Sequence, residues 1–436
     1  MITKRKGARA TLTAASVAIA SLTLAGCSQG AGGDPGAGSE DIELTMYYPV
    51  AVGGPLTQVV DKLVASCAAE QEGVSVKAIY TGGYPDTMTK VQAAARANDA
   101  PELAVMLSSD LFTLTDQKLI APLDEIGDVS WAKDRFYEAF LSGGIDSEGT
   151  LWSLPFQRST IVQYYNRDIF KAAGLDPEVA PKTWDELRAA AKKVIDTKAA
   201  DFGIEIPSTA YGYWLFQALA VQAGVEVTDG SGTATNFDNP EAVRALEFWK
   251  KLGDDKLAPA GTVEWSTTAE DFLQGRTAMM WTTTGNLSNV RKTAKFDFGV
   301  SALPSDKRAG SPTGGGNMYI LKQATDEQRK AALEFAKCMT SPENAAQWSI
   351  DSGYVATGPA AWKTDKMEAY VADFPEAAVA RDQLEDAISE LATHDGGKVV
   401  TLANDAINAA LNGQVSPADA LAQLQSDIDK VLKPYR

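Results

Sequence analysis

Histidine is nearly missing from this chain of 436 residues: His394 is the single copy. That argues against His-rich metal sites and against most histidine-based catalysis. Cysteine is almost as scarce. Cys27, Cys67 and Cys338 are too few for a Cys-rich metal site or a disulfide-dense scaffold. Basic residues are outnumbered, 40 against 57 acidic ones. Four of the 40 (Lys4, Arg5, Lys6 and Arg9) lie in the first 26 residues, so the remainder carries 36 against all 57 acids. Such an acidic body argues against phosphate-backbone binding, and no nucleic-acid partner is expected. There is no Gly-x-Ser-x-Gly elbow, no Gly-x-x-x-x-Gly-Lys phosphate loop, no Ser-His-Asp set and no metal-spaced Cys or His pattern. No metal and no cofactor is expected.

What is present fits two or three domain-sized units with a well-packed core, since 45% of the residues are hydrophobic and 8% aromatic. The basic head is followed by a weakly polar run from Thr11 to Gly26, shorter than the ~20 residues of a spanning helix. Head and run together read as an export signal. The run ends Leu24-Ala25-Gly26-Cys27, which looks like a bacterial lipobox with Cys27 as the lipidated residue. The plainer alternative is an ordinary cleaved signal with a chance cysteine. Residues 1–26 are therefore expected to be a lipoprotein signal peptide. Residues 27–41 are expected to be a flexible, glycine-rich tether, reaching ~20 Å from the outer face of the cell membrane.

Beyond the tether, strand-like runs at Ile42–Tyr48, Val74–Tyr80, Leu103–Leu107, Val162–Tyr165, Phe202–Ile206, Ala278–Trp281, Phe298–Leu303 and Met318–Leu321 alternate with segments of helical period. These include Leu56–Ala68, Asp86–Ala97, Trp184–Ile195, Trp214–Ala223, Pro240–Leu252 and Glu327–Met339. The alternation predicts an α/β fold with mostly parallel sheets and a helical last eighty residues. Thr183–Glu186 and Thr325–Gln328 fit capping boxes, and Ser341-Pro342 and Ser416-Pro417 fit helix starts.

Five segments together resemble one family, the extracellular solute-binding proteins of ABC importers in the carbohydrate-type group. They are YTGGYPDT (80–87), LPFQRSTIVQYYNRDIFKAAGLDPEVAPKTWDEL (154–187), FLQGRTAMMWTTTGNLSN (272–289), GGGNMYIL (314–321) and SPENAAQWSIDSGY (341–354). The resemblance is strongest to members that bind sn-glycerol 3-phosphate. It implies two α/β lobes joined by a hinge, with the solute in the cleft between them. Lobe one would be 42–153 plus 310–355, and lobe two 154–309 plus 356–436. The implied protein is a monomer outside the cytoplasm with no catalytic residues, whose partners are a small solute and the permease subunits.

The resemblance also implies the site. Tyr84, on an expected Gly-Gly-Tyr-Pro turn, would offer a flat face and a hydroxyl to a polyol. Ser108 stands where the family has a cleft glutamate, with Asp110 two residues on as either a displaced contact or a helix cap. Ser159 matches a ligand-contacting serine, and Arg158 beside it would either clamp an anion or face water. Tyr211 and Trp214 match a cleft aromatic pair that would stack on sugar faces, the alternative being a core stripe. On the cleft reading, Trp214→Ala removes most binding at little cost in stability. Thr283, Thr284 and Gly285, and likewise Gly314, Gly315 and Gly316, would be turns after strands that bring backbone N–H groups to the ligand. Tyr354 matches another contact.

One departure bears on the solute. A phosphate-binding arginine of the resembled proteins falls at Ala392, and Glu390–Val400 offers only His394 and Lys398 as cations. The solute is then a carbohydrate or glycerol-derived polyol, neutral or with its charge met by Arg158 or His394. Cys67 and Cys338 fall where the family has phenylalanines. They would either pair as a disulfide, which export permits, or stay buried thiols. A secreted hydrolase using two carboxylates and a non-transport surface lipoprotein are the competing functions.

Overall fold

The expected alternation of strand and helix is present from Asp41 onward in the computed structural model, which describes residues 41–436. The signal peptide, Cys27 and the tether to residue 40 lie outside the described residues. Among the described residues nine strands form: β1 Ile42–Tyr48, β2 Val74–Tyr80, β3 Leu103–Leu107, β4 Ser153–Asn166, β5 Phe202–Glu205, β6 Thr277–Thr283, β7 Phe298–Ser301, β8 Ser311–Ile320 and β9 Ala387–Ile388. Their order is β2-β1-β3-β8-β4-β6-β5, with β7 also on β4 and β9 on β8.

The sheets are mixed, which corrects the expectation of mostly parallel pairing. β1 runs parallel to β2 and β3, and β5 runs parallel to β6. β8 is antiparallel to β3 and β4, and β4 is antiparallel to β6 and β7. The physical reason is that β4 and β8 are not steps of a β-α-β ladder. They cross the middle of the molecule in opposite senses and join two smaller parallel sheets. Along β4 the partners change: Ser153–Thr160 pair with β8, and Ile161–Asn166 pair with β6 and β7. All fourteen residues of β4 are buried. A strand covered on both faces loses its polar alternation, which is why only Val162–Tyr165 stood out in the sequence.

Each half has its own apolar core. Leu44, Met46, Val60, Leu63, Phe335 and Trp348 belong to one. Trp184, Leu187, Phe216, Leu219, Trp281 and Val399 belong to the other. A third cluster gathers Val162, Tyr164, Phe272, Ala346 and Trp362. Helix starts follow the sequence signals. Thr325 accepts from the Gln328 amide at 3.2 Å while the Gln328 side chain accepts from the Thr325 N–H at 3.0 Å. Thr183, Ser341 and Ser416 each accept from the amide three residues on. In the first half, Cys67 on the helix Leu56–Ala69 and Cys338 on the helix Asp326–Met339 are joined by a disulfide.

Candidate functional site

The crossing strands form the floor of an aromatic cavity. Eight of the expected site residues line it: Tyr84, Ser159, Tyr211, Trp214, Thr283, Gly314, Gly315 and Tyr354. They come from both halves. Ser159 belongs to β4, Gly314 and Gly315 to β8, and Thr283 ends β6.

Local sequence places each one. Tyr84 is not on a turn but is the first residue of the helix Tyr84–Arg96, whose start is set by Gly83 and by Pro85. Its hydroxyl donates to Gln157 Oε1 at 3.0 Å. Tyr211 is the N-cap of the helix Gly212–Ala223, and Trp214 lies one turn in. Trp214 is 5% exposed, packs within the second core, and donates its indole N–H to the Thr313 carbonyl at 2.9 Å. It is thus cavity wall and core stripe together, so both alternatives hold and its truncation carries a stability cost. Tyr354 stacks on Trp348 at 5.6 Å between centroids. Burial pushes its hydroxyl up to about 12 and raises Tyr84 well above the ordinary phenol value, so both remain neutral.

The glycines differ from expectation. Gly314, Gly315 and Gly316 lie inside β8, paired with Ser159, Arg158 and Gln157, and no helix follows them. They are required by close approach. A Cβ on Gly314 would stand 2.5 Å from Trp214 Cζ2, and one on Gly315, whose φ is +90°, would stand 1.9 Å from the Gln157 carbonyl oxygen. Thr284 and Gly285 form a single 3-10 turn behind the cavity, where Gly285 backs the Tyr354 ring.

The remaining candidates lie elsewhere. Ser108 is buried and lines a separate chamber of mixed character, with Ser109, Phe112, Gly143, Ile145 and Glu390. Asp110 lines a larger cleft between the helices Tyr84–Arg96 and Gly396–Leu411. It makes no side-chain cap. Burial, and then the charge of Glu390, push its carboxyl up to about 7. Arg158 does not face water: it is fully buried, donating to the Gly315 carbonyl at 2.9 Å and to Asn317 Oδ1 at 3.2 Å. His394 is away from the cavity. Its Nδ1 pairs with Asp116 at 2.8 Å, and its ring stacks on Tyr435 at 4.3 Å.

Five wall residues escaped the sequence reading: the aliphatic Ala51, Val52 and Leu107, and also Trp265 and Glu390. Trp265 opens the helix Trp265–Leu273 and meets Tyr211 edge-on at 4.8 Å, with Trp214 at 6.4 Å. Nothing around it in the sequence sets it apart from a core aromatic. Glu390 is 6% exposed and accepts from the Tyr213 hydroxyl at 2.6 Å. Burial pushes its carboxyl up to about 7 against the pull of the Tyr213 hydrogen bond and the Arg158 charge. Its signal was available, two residues before the departing position Ala392. Among the described residues, no cluster of three or more His, Cys, Asp or Glu is placed to hold a metal, and no helix is long and apolar enough to cross a membrane.

Similarity to known proteins agrees with this architecture. The sn-glycerol-3-phosphate-binding periplasmic protein UgpB of Escherichia coli O6:K15:H31 (strain 536) is 30% identical over 349 residues, 76% of this chain and 78% of that protein. Its counterpart in strain K12 is 29% identical over 365 residues, 80% of this chain and 82% of that protein. Both are solute-binding proteins rather than enzymes. Among solved structures, the cyclic alpha-maltosyl-1,6-maltose binding protein of Arthrobacter globiformis superposes with a TM-score of 0.77 at 25% identity, over 90% of this chain and 99% of that one. UgpB of Mycobacterium tuberculosis, in complex with glycerophosphocholine, shares the two-lobe fold with a TM-score of 0.80 at 22% identity, over 91% and 100%. The family model for bacterial extracellular solute-binding proteins matches residues 62–376, so this chain is a member of that family.

Proposed function

We propose that this protein is the substrate-binding component of an ABC importer, held at the outer face of the cell membrane by a lipid on Cys27. It captures a carbohydrate or glycerol-derived solute in the aromatic cavity and delivers it to the permease. Lobe one is 42–153 plus 310–355, and lobe two is 154–309 plus 356–436. The observation that carries the reading is the cavity itself. Aromatic faces from separate segments (Tyr84, Tyr211, Trp214, Trp265 and Tyr354) converge over the two crossing strands, beside the buried hydroxyls of Ser159 and Thr283. Flat rings suit the C–H faces of a sugar or polyol, and the hydroxyls fix its orientation. The names of the relatives, which bind glycerol phosphate, glycerophosphocholine and oligosaccharides, support the same class of solute. The change of partners along β4 supports a hinge at the crossing strands.

The test is calorimetric titration of the full chain with sugars, polyols and glycerol phosphates, together with solution scattering. A bound solute that reduces the radius of gyration supports capture by closure. Steady turnover of a sugar substrate defeats the reading. Mass spectrometry of the exported chain decides the anchor: a diacylglyceryl group on Cys27 supports it, and an unmodified N-terminus removes it.

A further inference from the structure

Two buried polar groups beside the cavity have bonding capacity that the protein leaves unused. Glu390 spends Oε1 on Tyr213, while Oε2 is buried without a partner. Arg158 spends Nη1 on Gly315 and Asn317, while Nε and Nη2 are buried without partners. Leaving such groups unmet is costly, so a native structure that keeps them implies something that fills them.

Their positions say where. Glu390 forms part of the wall of both the aromatic cavity and the chamber that Ser108 lines. Arg158 Nη2 would stand 3.9 Å from a Cβ on Gly143, a residue of the chamber wall, and Ser108 Oγ would stand 3.5 Å from the same point. Beside the chamber there is therefore a buried carboxylate oxygen without a donor and a buried guanidinium edge without an acceptor. A phosphate would satisfy Arg158 but oppose Glu390, with Asp110 adding to the repulsion. An ammonium would satisfy Glu390 but oppose Arg158. A hydroxyl group is donor and acceptor at once, and satisfies both.

We propose that Glu390 is a specificity-determining residue and that the ligand is an uncharged polyhydroxyl compound, with one hydroxyl bridging Glu390 and Arg158 and its carbon skeleton in the aromatic cavity. This rests on the solute-binding reading.

The test is titration of the full chain at pH 8, above the raised value of the Glu390 carboxyl. The ligands are maltose, mannobiose, the pairs glucose and glucose 6-phosphate and glycerol and glycerol 3-phosphate, and choline. An uncharged member binds, and a phosphate ester binds at least about tenfold more weakly than its parent. Glu390→Gln weakens binding of the uncharged ligand about 10- to 100-fold, while the ligand-free melting temperature holds or rises. A phosphate ester or choline that outbinds the uncharged compounds overturns the proposal and leaves the solute-binding reading standing. So does a Glu390→Gln variant with unchanged affinity. Silence of the wild type across all the ligands, saccharides included, overturns both.

Discussion

Trp214 lies so close to Gly314 that the two are a single fitted contact: the indole occupies the space a Cβ on that glycine would need, 2.5 Å from Cζ2, and ties itself to the preceding residue through the Thr313 carbonyl. A helix of one half is thereby fixed to a crossing strand. Trp214→Ala empties both core and cavity wall. We expect a loss of about 3–5 kcal/mol in denaturant unfolding, together with a loss of solute binding. Trp214→Phe keeps a ring but no indole donor and should lose less of each. Full stability in the alanine variant would remove Trp214 from the core.

Gly315 makes a sharper prediction. Its backbone is in the left-handed region at φ +90°, and a methyl there would stand 1.9 Å from the Gln157 carbonyl oxygen. No side chain can move aside, because the obstacle is backbone. Gly315→Ala must therefore shift β4 against β8, and we expect more than about 3 kcal/mol of destabilisation, combining backbone strain with the clash. Gly397→Ala, where a Cβ meets nothing within 4 Å, is the control and should unfold within about 1 kcal/mol of the wild type.

Stability should increase as the pH is lowered from 8 towards 5. Burial raises the carboxyls of Asp110, Glu205 and Glu390 to about 7 in the folded chain, above their unfolded values. The folded state therefore holds more protons than the unfolded one across this window. The stability they contribute is fully present below the unfolded values near 4 and is lost as the pH rises through about 7. The expected gain is on the order of a few kcal/mol, read as a rising melting temperature. Asp146 and Asp229, whose carboxyls are held low, act only below this window. Glu390→Gln and Glu205→Gln should each flatten the slope. A melting temperature that falls between pH 8 and pH 6 contradicts the burial of these groups.

The disulfide predicts a further result. Cys67 and Cys338 are 271 residues apart, so their bond closes a long loop in the unfolded chain. Replacing both with serine should cost about 2–5 kcal/mol. A thiol titration of the denatured, unreduced chain should find neither cysteine free. Reaction of both would remove the crosslink.

How much of this was legible depends on what each residue has for neighbours. β1, β2 and β3 and the helix Leu56–Ala69 were read nearly to the residue, since each carries its own periodicity. The crossing strands were not. β4 is buried throughout and contains Pro155, and β8 begins with Ser311-Pro312-Thr313 and three glycines that resemble a turn. In β8 the glycines exist because Trp214, Gln157 and Tyr84 press on them from outside, a cause that no local pattern records. Tyr84, Tyr211 and Trp214 could be placed through resemblance to a family. Glu390 and Trp265 lay in segments for which no motif had been matched. Arg158 was identified, but its burial followed from packing that only the fold discloses.

The antiparallel pairing of β4 with β8 also limits how the molecule can move. A ribbon of two hydrogen-bonded strands resists stretching and sliding, because either motion breaks its ladder, yet it twists and bends readily. Halves strapped together in this way have a rotation open to them and a translation closed. On the proposed hinge the aromatic walls would swing apart and return to the same register, so the geometry that greets each new solute would be reproduced by the backbone rather than rebuilt by the side chains.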